Sequence, residues 1–382
     1  MEFSLTEEDK SLIEHAREFT REFISPRAVE YDRSGEFPMD ICKEAFRQGL
    51  MNFHVPEKYG GKGYGILKGV LSMEEIFAGC TGIGTALFAN GLSQFPLILH
   101  GTEEQKKEFL EPMTRKMIFS AYAVTEPDAG SDVNRISTAA KRDGDDYVIN
   151  GTKWWITGGS VASWYFVLAR VAEKRHTGFI VPADSPGISQ GVKEINLGQH
   201  ASNTVRVTFE DVRVPARYRV GEEGDGFKIA MNAFDMTRPI IATGANGITR
   251  TALNYGLDYS RRRRTFDKRL ISNQGISFKL AEMATKLEAA RMLTYKAAWQ
   301  ADNGQDNTLA SAKAKWFASD VAMEAAVECA QILGGYGFSN EMPAEKLIRD
   351  AKIYQIYEGA SEIQKMVIVG KLLRKKEVGV EL

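Results

Sequence analysis

The chain has 382 residues, 43% hydrophobic and 26% charged, with a net charge of −1. That length holds two or three cores, and the balanced charge gives no global field for nucleic acid or an anionic membrane. Three cysteines with no CxxC pair, and five histidines far apart in sequence, argue against a disulfide framework and a metal site. The first residues open straight into an acidic helix start without a basic or apolar leader. No apolar run is expected to approach the about 18 residues that span a bilayer. The expectation is a soluble, cytoplasmic protein, although a processed organellar chain would read the same way.

Residues 1–117 read as a helical domain. Thr6 with Asp9 marks a helix start, and Leu12, Ala16, Phe19 and Phe23 fall on one face. Gly60, Gly61, Gly63 and Gly65 read as a turn, since they lack the spacing and strand of a dinucleotide loop. Helical sequence resumes over 66–100, with a break expected before Pro96, and a polar helix runs from Thr102 to Leu110. Residues 118–223 take the period of strands and predict a small antiparallel β domain. Within it, Asn150-Gly151-Thr152 reads as the turn of a hairpin. Residues 224–382 return to helices. Ile276, Leu280, Met283 and Leu287 share a face, and an Ala-rich helix over 309–333 stops at Gly334-Gly335. Long helices with short links predict a bundle over this last domain. The fold class is therefore α+β, mostly α.

Four stretches carry candidate chemistry. In Ile356-Tyr357-Glu358-Gly359, an apolar helix ends at one carboxylate before the next helix starts. Ser361 with Gln364 has the form of a capping box. A carboxylate in such apolar company has a raised pKa and can serve as a base, and the same joint is also an ordinary helix end. Tyr122 to Asp132 is a loop of small residues, hydroxyls and backbone donors, suited to a flat heteroaromatic group, to a phosphate, or to nothing beyond a turn. Arg261 to Arg264 reads as a solvated face; the alternative, a nucleic-acid patch, is opposed by the balanced net charge and the lack of other basic clusters. Gly187-Ile188-Ser189-Gln190-Gly191 matches a hydrolase string but lacks its strand–turn–helix context.

The sequence resembles the acyl-CoA dehydrogenases, flavoproteins that oxidise acyl thioesters. Thr125-Glu126-Pro127-x-Ala129-Gly130-Ser131-Asp132 looks like one family signature. Gln331 to Phe338, with Arg349-Asp350-Ala351-Lys352, looks like the other. The likeness runs in order from about residue 3 to 373 and is strongest to the medium- and short-chain enzymes. It implies a helical domain, a β domain and a four-helix bundle, assembled as a homotetramer (a dimer of dimers). It also implies FAD between the β domain and the bundle, an acyl-CoA substrate, and an electron-transfer flavoprotein as acceptor.

Position by position, the resemblance places Tyr122, Val124, Thr125, Gly130, Ser131, Trp155, Ile156 and Thr157 against the flavin. It places Arg263, Thr265, Gln274, Gln331, Leu333, Gly334 and Gly335 on the nucleotide of a neighbouring subunit, where arginine's forked donors suit a pyrophosphate. Ala360, Ser361 and Glu362 also fall near the cofactor. Ser131, Phe234, Asp235, Arg238, Gly359 and Phe88 fall along the substrate. The family carries its base at one of two positions, here Thr237 and Glu358, which assigns the role to Glu358. Three departures are visible. Ala360 stands where a threonine is common, and Asp267 where glycine is frequent. Phe88 stands where the acyl pocket closes, and either shortens it or leaves small neighbours to accept a branched or cyclic acyl group. A reductase running in the opposite direction would carry the same residues.

Overall fold

The computed structural model describes residues 4–173 and 175–374. Helices come first: α1 (Glu7–Phe19), α2 (Ala28–Ser34), α3 (Met39–Arg47), α4 (Ile66–Gly79), α5 (Thr81–His100), and the short α6 (Glu103–Gln105) and α7 (Pro112–Arg115). The Thr6–Asp9 start is a full capping box, with Asp9 N–H donating to Thr6 Oγ1 and Thr6 N–H to Asp9 Oδ2, both at 3.1 Å. The expected break before Pro96 is absent, because α5 runs through it. The break falls instead at Cys80, whose extended backbone (φ −165°, ψ 120°) separates α4 from α5. The expected Thr102–Leu110 helix keeps its capping box, but only residues 103–105 are α-helical before a wider turn.

One expectation on length is also overturned. Helix α5 has 20 residues and is apolar enough, by length and composition, to cross a membrane. It lies mostly inside the protein, and its polar groups bond internally. Asn90 donates to Asn52 Oδ1 and Ile118 O, both at 2.9 Å, and accepts from Ser120 N–H at 2.9 Å.

The strands are β1 (Ser120–Ala123), β2 (Ala139–Asp143), β3 (Asp146–Thr157), β4 (Trp164–Ala172), β5 (Arg175–Pro182), β6 (Ile188–Gln190), β7 (Thr204–Pro215) and β8 (Arg219–Val220). They form one sheet in the order β6-β7-β3-β2-β4-β5-β8, with β1 beside β4. Pairing is antiparallel except for β1–β4 and a single β2–β4 pair. The Asn150-Gly151 hairpin does not exist. Residues 146–157 form one strand, and the turn sits one step earlier, at Gly144. Tyr147, Ile149, Lys153 and Ile156 all face inward, so the strand has no reason to reverse. The irregularity there lies on β7, where Glu210 and Asp211 (φ 51°) bulge opposite the single residue Asn150, and Gly151 keeps its place beside Phe209 with φ 149°. A Cβ on Gly151 would lie 2.6 Å from Thr138 Cα, so only glycine lets β3 pass there.

The C-terminal part holds α8 (Gly226–Arg262), a two-residue hairpin of β9 (Arg264–Thr265) and β10 (Lys268–Arg269), α9 (Gln274–Asp302), α10 (Thr308–Leu333), α11 (Gly335–Phe338), α12 (Ala344–Tyr354) and α13 (Ser361–Leu372). Helices α8, α9 and α10 pack through small residues such as Ala242, Ala245, Ala318, Ala322 and Ala326. Pro239 stands inside α8 and removes the N–H that would bond Asp235 O. That carbonyl is met from α10 instead, by Asn307 Nδ2 at 2.7 Å and Ser311 Oγ at 3.1 Å. Buried Asp350 ties three parts of the chain together. It accepts from Thr81 Oγ1 on α5 at 2.7 Å, from Gln199 N–H in the β region at 2.6 Å, and from Lys346 beside it.

Candidate active site

Glu358 lies in the joint between α12 and α13 with φ 51°, and Gly359 follows at φ 92°. Two successive left-handed residues turn the chain sharply, and a glutamate held there is strained by about 1 kcal/mol or more. The capping box expected at Ser361 and Gln364 is not what holds the joint. The N-cap position falls on Ala360, and buried Ser361 points its hydroxyl toward Asp320 at 3.4 Å. Gln364 instead donates to Glu358 O at 3.2 Å and to Gly359 O at 2.9 Å. Arg238 Nε donates to Glu358 O at 3.3 Å, and Lys315 Nζ to Gly359 O at 2.7 Å. Each carbonyl of the strained turn thus receives two donors.

Thr237, fully buried on α8, donates its hydroxyl to Glu358 Oε2 at 2.7 Å. The residue as a whole is half-buried, but its carboxyl end lies deep, and that depth governs its acidity. Burial pushes the carboxyl up to about 7, against the opposing pull of Thr237, Arg238 and Lys315. The Tyr122 ring stacks on Phe166 at 5.3 Å and meets Phe234 edge-on at 5.3 Å, and its hydroxyl donates to Ala230 O at 3.1 Å. Burial, with the nearby Glu358 charge, raises that phenol far above its ordinary value and keeps it neutral. Arg238 also donates to Asp235 Oδ1 at 2.7 Å and sits over the Phe234 ring. Tyr122, Phe234, Asp235, Thr237, Arg238, Glu358 and Gly359 are therefore one constellation.

The β-domain residues present a second surface. Trp155 has φ 61° and leaves 54% of its surface open, unusual for the largest aromatic side chain. The Gly130 position has nothing within 4 Å of where a Cβ would stand, and Ser131 beside it is exposed. Thr125 and Thr157 are half-buried. Val124 and Ile156 point into the core, so they can reach a ligand only through their backbone. An open aromatic face, an open glycine edge and two hydroxyls fit a flat amphipathic ring such as a flavin.

Arg263, Thr265, Gln274 and Gln331 to Gly335 gather at the far end of the bundle. Arg263, Gln274, Gln331, Gly334 and Gly335 are exposed and Thr265 is half-buried. Leu333 is in the core and offers only its backbone. Among the described residues, no hydrogen bond or ion pair joins this group to Glu358 or Trp155. Ala360 is half-buried and Glu362 exposed. Phe88 is buried, edge-on to His54 at 6.5 Å, with its ring over Gly91.

Three residues that shape these surfaces were given no role from the sequence. Lys315 is a lysine on the buried stripe of an Ala-rich helix, four residues from both Ser311 and Ser319, and that misplaced charge was a usable signal. Glu126 and Lys153 form a buried pair at 2.9 Å beneath the 122–132 loop. Lys153 Nζ also donates to Val124 O at 2.9 Å, while Glu126 accepts from Ser137 N–H, Ser137 Oγ and Thr138 N–H. Lys153 sits at an inward position of β3, which strand alternation alone would have shown.

Comparison with known proteins fits this geometry. Residues 6–116, 121–212 and 224–373 match the N-terminal, middle and C-terminal domain profiles of the acyl-CoA dehydrogenases. The chain is 44% identical to a probable medium-chain specific acyl-CoA dehydrogenase 2, mitochondrial, of Caenorhabditis briggsae, covering 98% of this chain and 92% of that protein. It is 40% identical to a cyclohexane-1-carbonyl-CoA dehydrogenase of Geobacter metallireducens, covering 98% and 99%. Its fold superposes on butyryl-CoA dehydrogenase from Megasphaera elsdenii with a TM-score of 0.95, at 40% identity, over 98% of this chain and all of that one. The chain belongs to the acyl-CoA dehydrogenase family, flavoprotein oxidoreductases that act on acyl-CoA thioesters.

Proposed function

We propose that the protein holds FAD against Trp155 and the 122–131 loop, and that Glu358 is the base that converts an acyl-CoA to its trans-2-enoyl-CoA. The observation that carries this reading is the Glu358 carboxyl itself, desolvated, hydrogen-bonded by Thr237 and poised near neutral pH. An α-proton of a thioester is a weak acid, so its acceptor must be close, oriented and little hydrated. The α C–H bond breaks and its proton passes to a Glu358 carboxylate oxygen. The freed pair becomes the new C=C bond as the β-hydrogen leaves with its own electrons. The flavin, when bound, supplies the acceptor for that hydride. Among the described residues, no acceptor takes the Glu358 backbone N–H, which leaves it for the thioester oxygen where negative charge develops. Arg238 is committed to Asp235 and to Glu358 O, and so holds the joint rather than the reacting atoms.

Phe88 favours a short to medium straight chain. A Cβ on Gly91 would come within 2.6 Å of the Phe88 ring, so that ring fills the space the glycine leaves. The small neighbour therefore does not widen the pocket. The likeness to a cyclohexane-1-carbonyl-CoA dehydrogenase supports the cyclic reading as the alternative. The exposed Phe266, Tyr336 and Phe338 border the Arg263 patch, and support the use of that patch by a neighbouring copy in a homotetramer. The onward acceptor we infer is an electron-transfer flavoprotein.

The test is anaerobic. Purified protein with FAD is mixed with straight, branched and cyclic acyl-CoAs, and loss of flavin colour is followed. Bleaching by one class and not the others assigns the substrate. Full activity in Glu358→Gln would remove Glu358 from the role.

A further inference from the structure

Lys315 lies on the inner face of α10 with its side chain fully buried. Lysine is almost never placed there unless it is paired. Its Nζ donates to Gly359 O at 2.7 Å, one peptide beyond Glu358. Gln364 already donates to the same carbonyl, so satisfying that oxygen does not require an ammonium. A neutral donor would do the same work without the cost of burying a charge. The charge therefore needs a separate reason, and the charge that acts on it most strongly is that of Glu358.

The groups that face the Glu358 carboxyl can be taken element by element. Helix α8 brings Thr237 and Arg238, the latter shared with Asp235. Strand β1 brings Tyr122, which stays neutral. Tyr357 in the joint itself stays neutral too, raised chiefly by burial. Helix α10 brings Lys315, with Asp320 farther along and Glu362 at the start of α13 acting on it more weakly than Glu358 does. Burial draws Lys315 down to about 7, and the Glu358 charge is the largest influence holding it up. Arg238 and, more weakly, Lys315 are the two cations that pull the Glu358 carboxyl toward its ionised form, and a protonated acid cannot accept a proton.

We propose that Lys315 is a positioning residue for the base: its ammonium clamps the Gly359 carbonyl, fixes the left-handed Glu358–Gly359 turn, and adds to Arg238 a second buried countercharge that favours ionised Glu358. The catalytic part of this assignment rests on the reading of Glu358 as base. The countercharge does not, because it is a property of the resting protein.

The experiment uses Lys315→Met, which removes donor and charge, and Lys315→Gln, which keeps a donor without charge. The Glu358 titration is read by infrared spectroscopy of the carboxyl band without substrate, as the difference against Glu358→Gln in each background. Both variants are expected to move the Glu358 midpoint up by about one pH unit or more. With FAD and acyl-CoA, Lys315→Met should bleach about tenfold or more slowly at pH 7, with acyl-CoA affinity little changed. Lys315→Gln should recover most of that rate once the pH is raised past its new midpoint. Unmoved midpoints overturn the proposal, and if the Met variant fails to fold, the Gln variant decides. Moved midpoints in a protein that no acyl-CoA bleaches would keep the countercharge and sink only the reading of Glu358 as base.

Discussion

The Thr237 hydroxyl donates to Glu358 Oε2 at 2.7 Å, joining two residues 121 positions apart in the chain. These are the two places where the family resemblance puts a catalytic glutamate. The site that lacks the carboxylate hydrogen-bonds the site that has it. A donor to the ionised form favours that form. Thr237→Val keeps the shape and removes the donor, so the Glu358 pKa should rise by about one unit. The acid limb of the pH–rate profile should move up with it. The rate should fall several-fold near pH 6 and little near pH 9. A profile that keeps its midpoint would show that Thr237 contributes packing alone.

Glu358 also makes stability depend on pH in a way opposite to most carboxylates. Its folded pKa, about 7, lies above its ordinary 4.5. The native state therefore binds more protons than the unfolded state between those values. Stability from this group is full below about 4.5 and is lost as the pH rises through 7. Glu358→Gln removes that loss. The variant should be no more stable than the parent at pH 5, and more stable at pH 8 by about 2 kcal/mol. Thermal melts of both proteins at the two pH values check this. A gap that does not widen with pH would mean that Glu358 is well solvated in the fold.

What the sequence made legible was the order of parts and the joint at Glu358, which the proposed function reads as the seat of the base. Periodicity located the helical, strand and helical stretches, and the carboxylate before Gly359 stood out in an apolar run. What it misplaced were features decided by tertiary contact. Asn150-Gly151 has the local chemistry of a hairpin turn, yet stays within β3, opposite a bulge in β7, because Lys153 and Ile156 continue inward on the same strand. Pro96 has the local chemistry of a helix end, yet α5 passes through it inside the core. Ser361 and Gln364 have a capping spacing, yet the glutamine turns back to hold the Glu358 joint. The capping preference is worth about 1 kcal/mol and a proline inside a helix costs about 3 kcal/mol, and burial of several side chains outweighs either.

Phe88 should limit the acyl group. It is buried at 7% exposure, so Phe88→Ala is expected to cost about 3–5 kcal/mol of stability if the site does not collapse. In the substrate screen, the ratio of kcat/KM for longer over shorter acyl-CoAs should rise at least tenfold. One methylene in an apolar pocket is worth about 1–3 kcal/mol, and the lost ring makes room for several. A preference that does not change would place the end of the acyl chain elsewhere.

Glu126 and Lys153 are buried together beneath the 122–132 loop, and each depends on the other. Burial opposes the ionisation of both. The Lys153 charge, with the Thr138 and Ser137 donors, overcomes it and holds the Glu126 carboxyl down to about 2. The folded pKa lies below the ordinary 4.5, so the stability it brings is full above about 4.5 and is lost as the pH falls toward 2. Lys153→Met strands the carboxylate and should cost about 3–5 kcal/mol at pH 7. Adding Glu126→Gln should restore part of that loss, because the amide retains acceptor capacity for the Ser137 and Thr138 donors without a buried charge. The double variant should also lose the steep acid dependence. Urea melts of the parent, the single variants and the double variant at pH 4 and pH 7 give the coupling directly. On the proposed placement of FAD against the 122–131 loop, the single Lys153 variant should hold FAD more weakly as well, since Val124 O loses its donor and the loop loosens. If the two single losses simply add in the double variant, the pair is not a unit and the loop is held by its backbone alone.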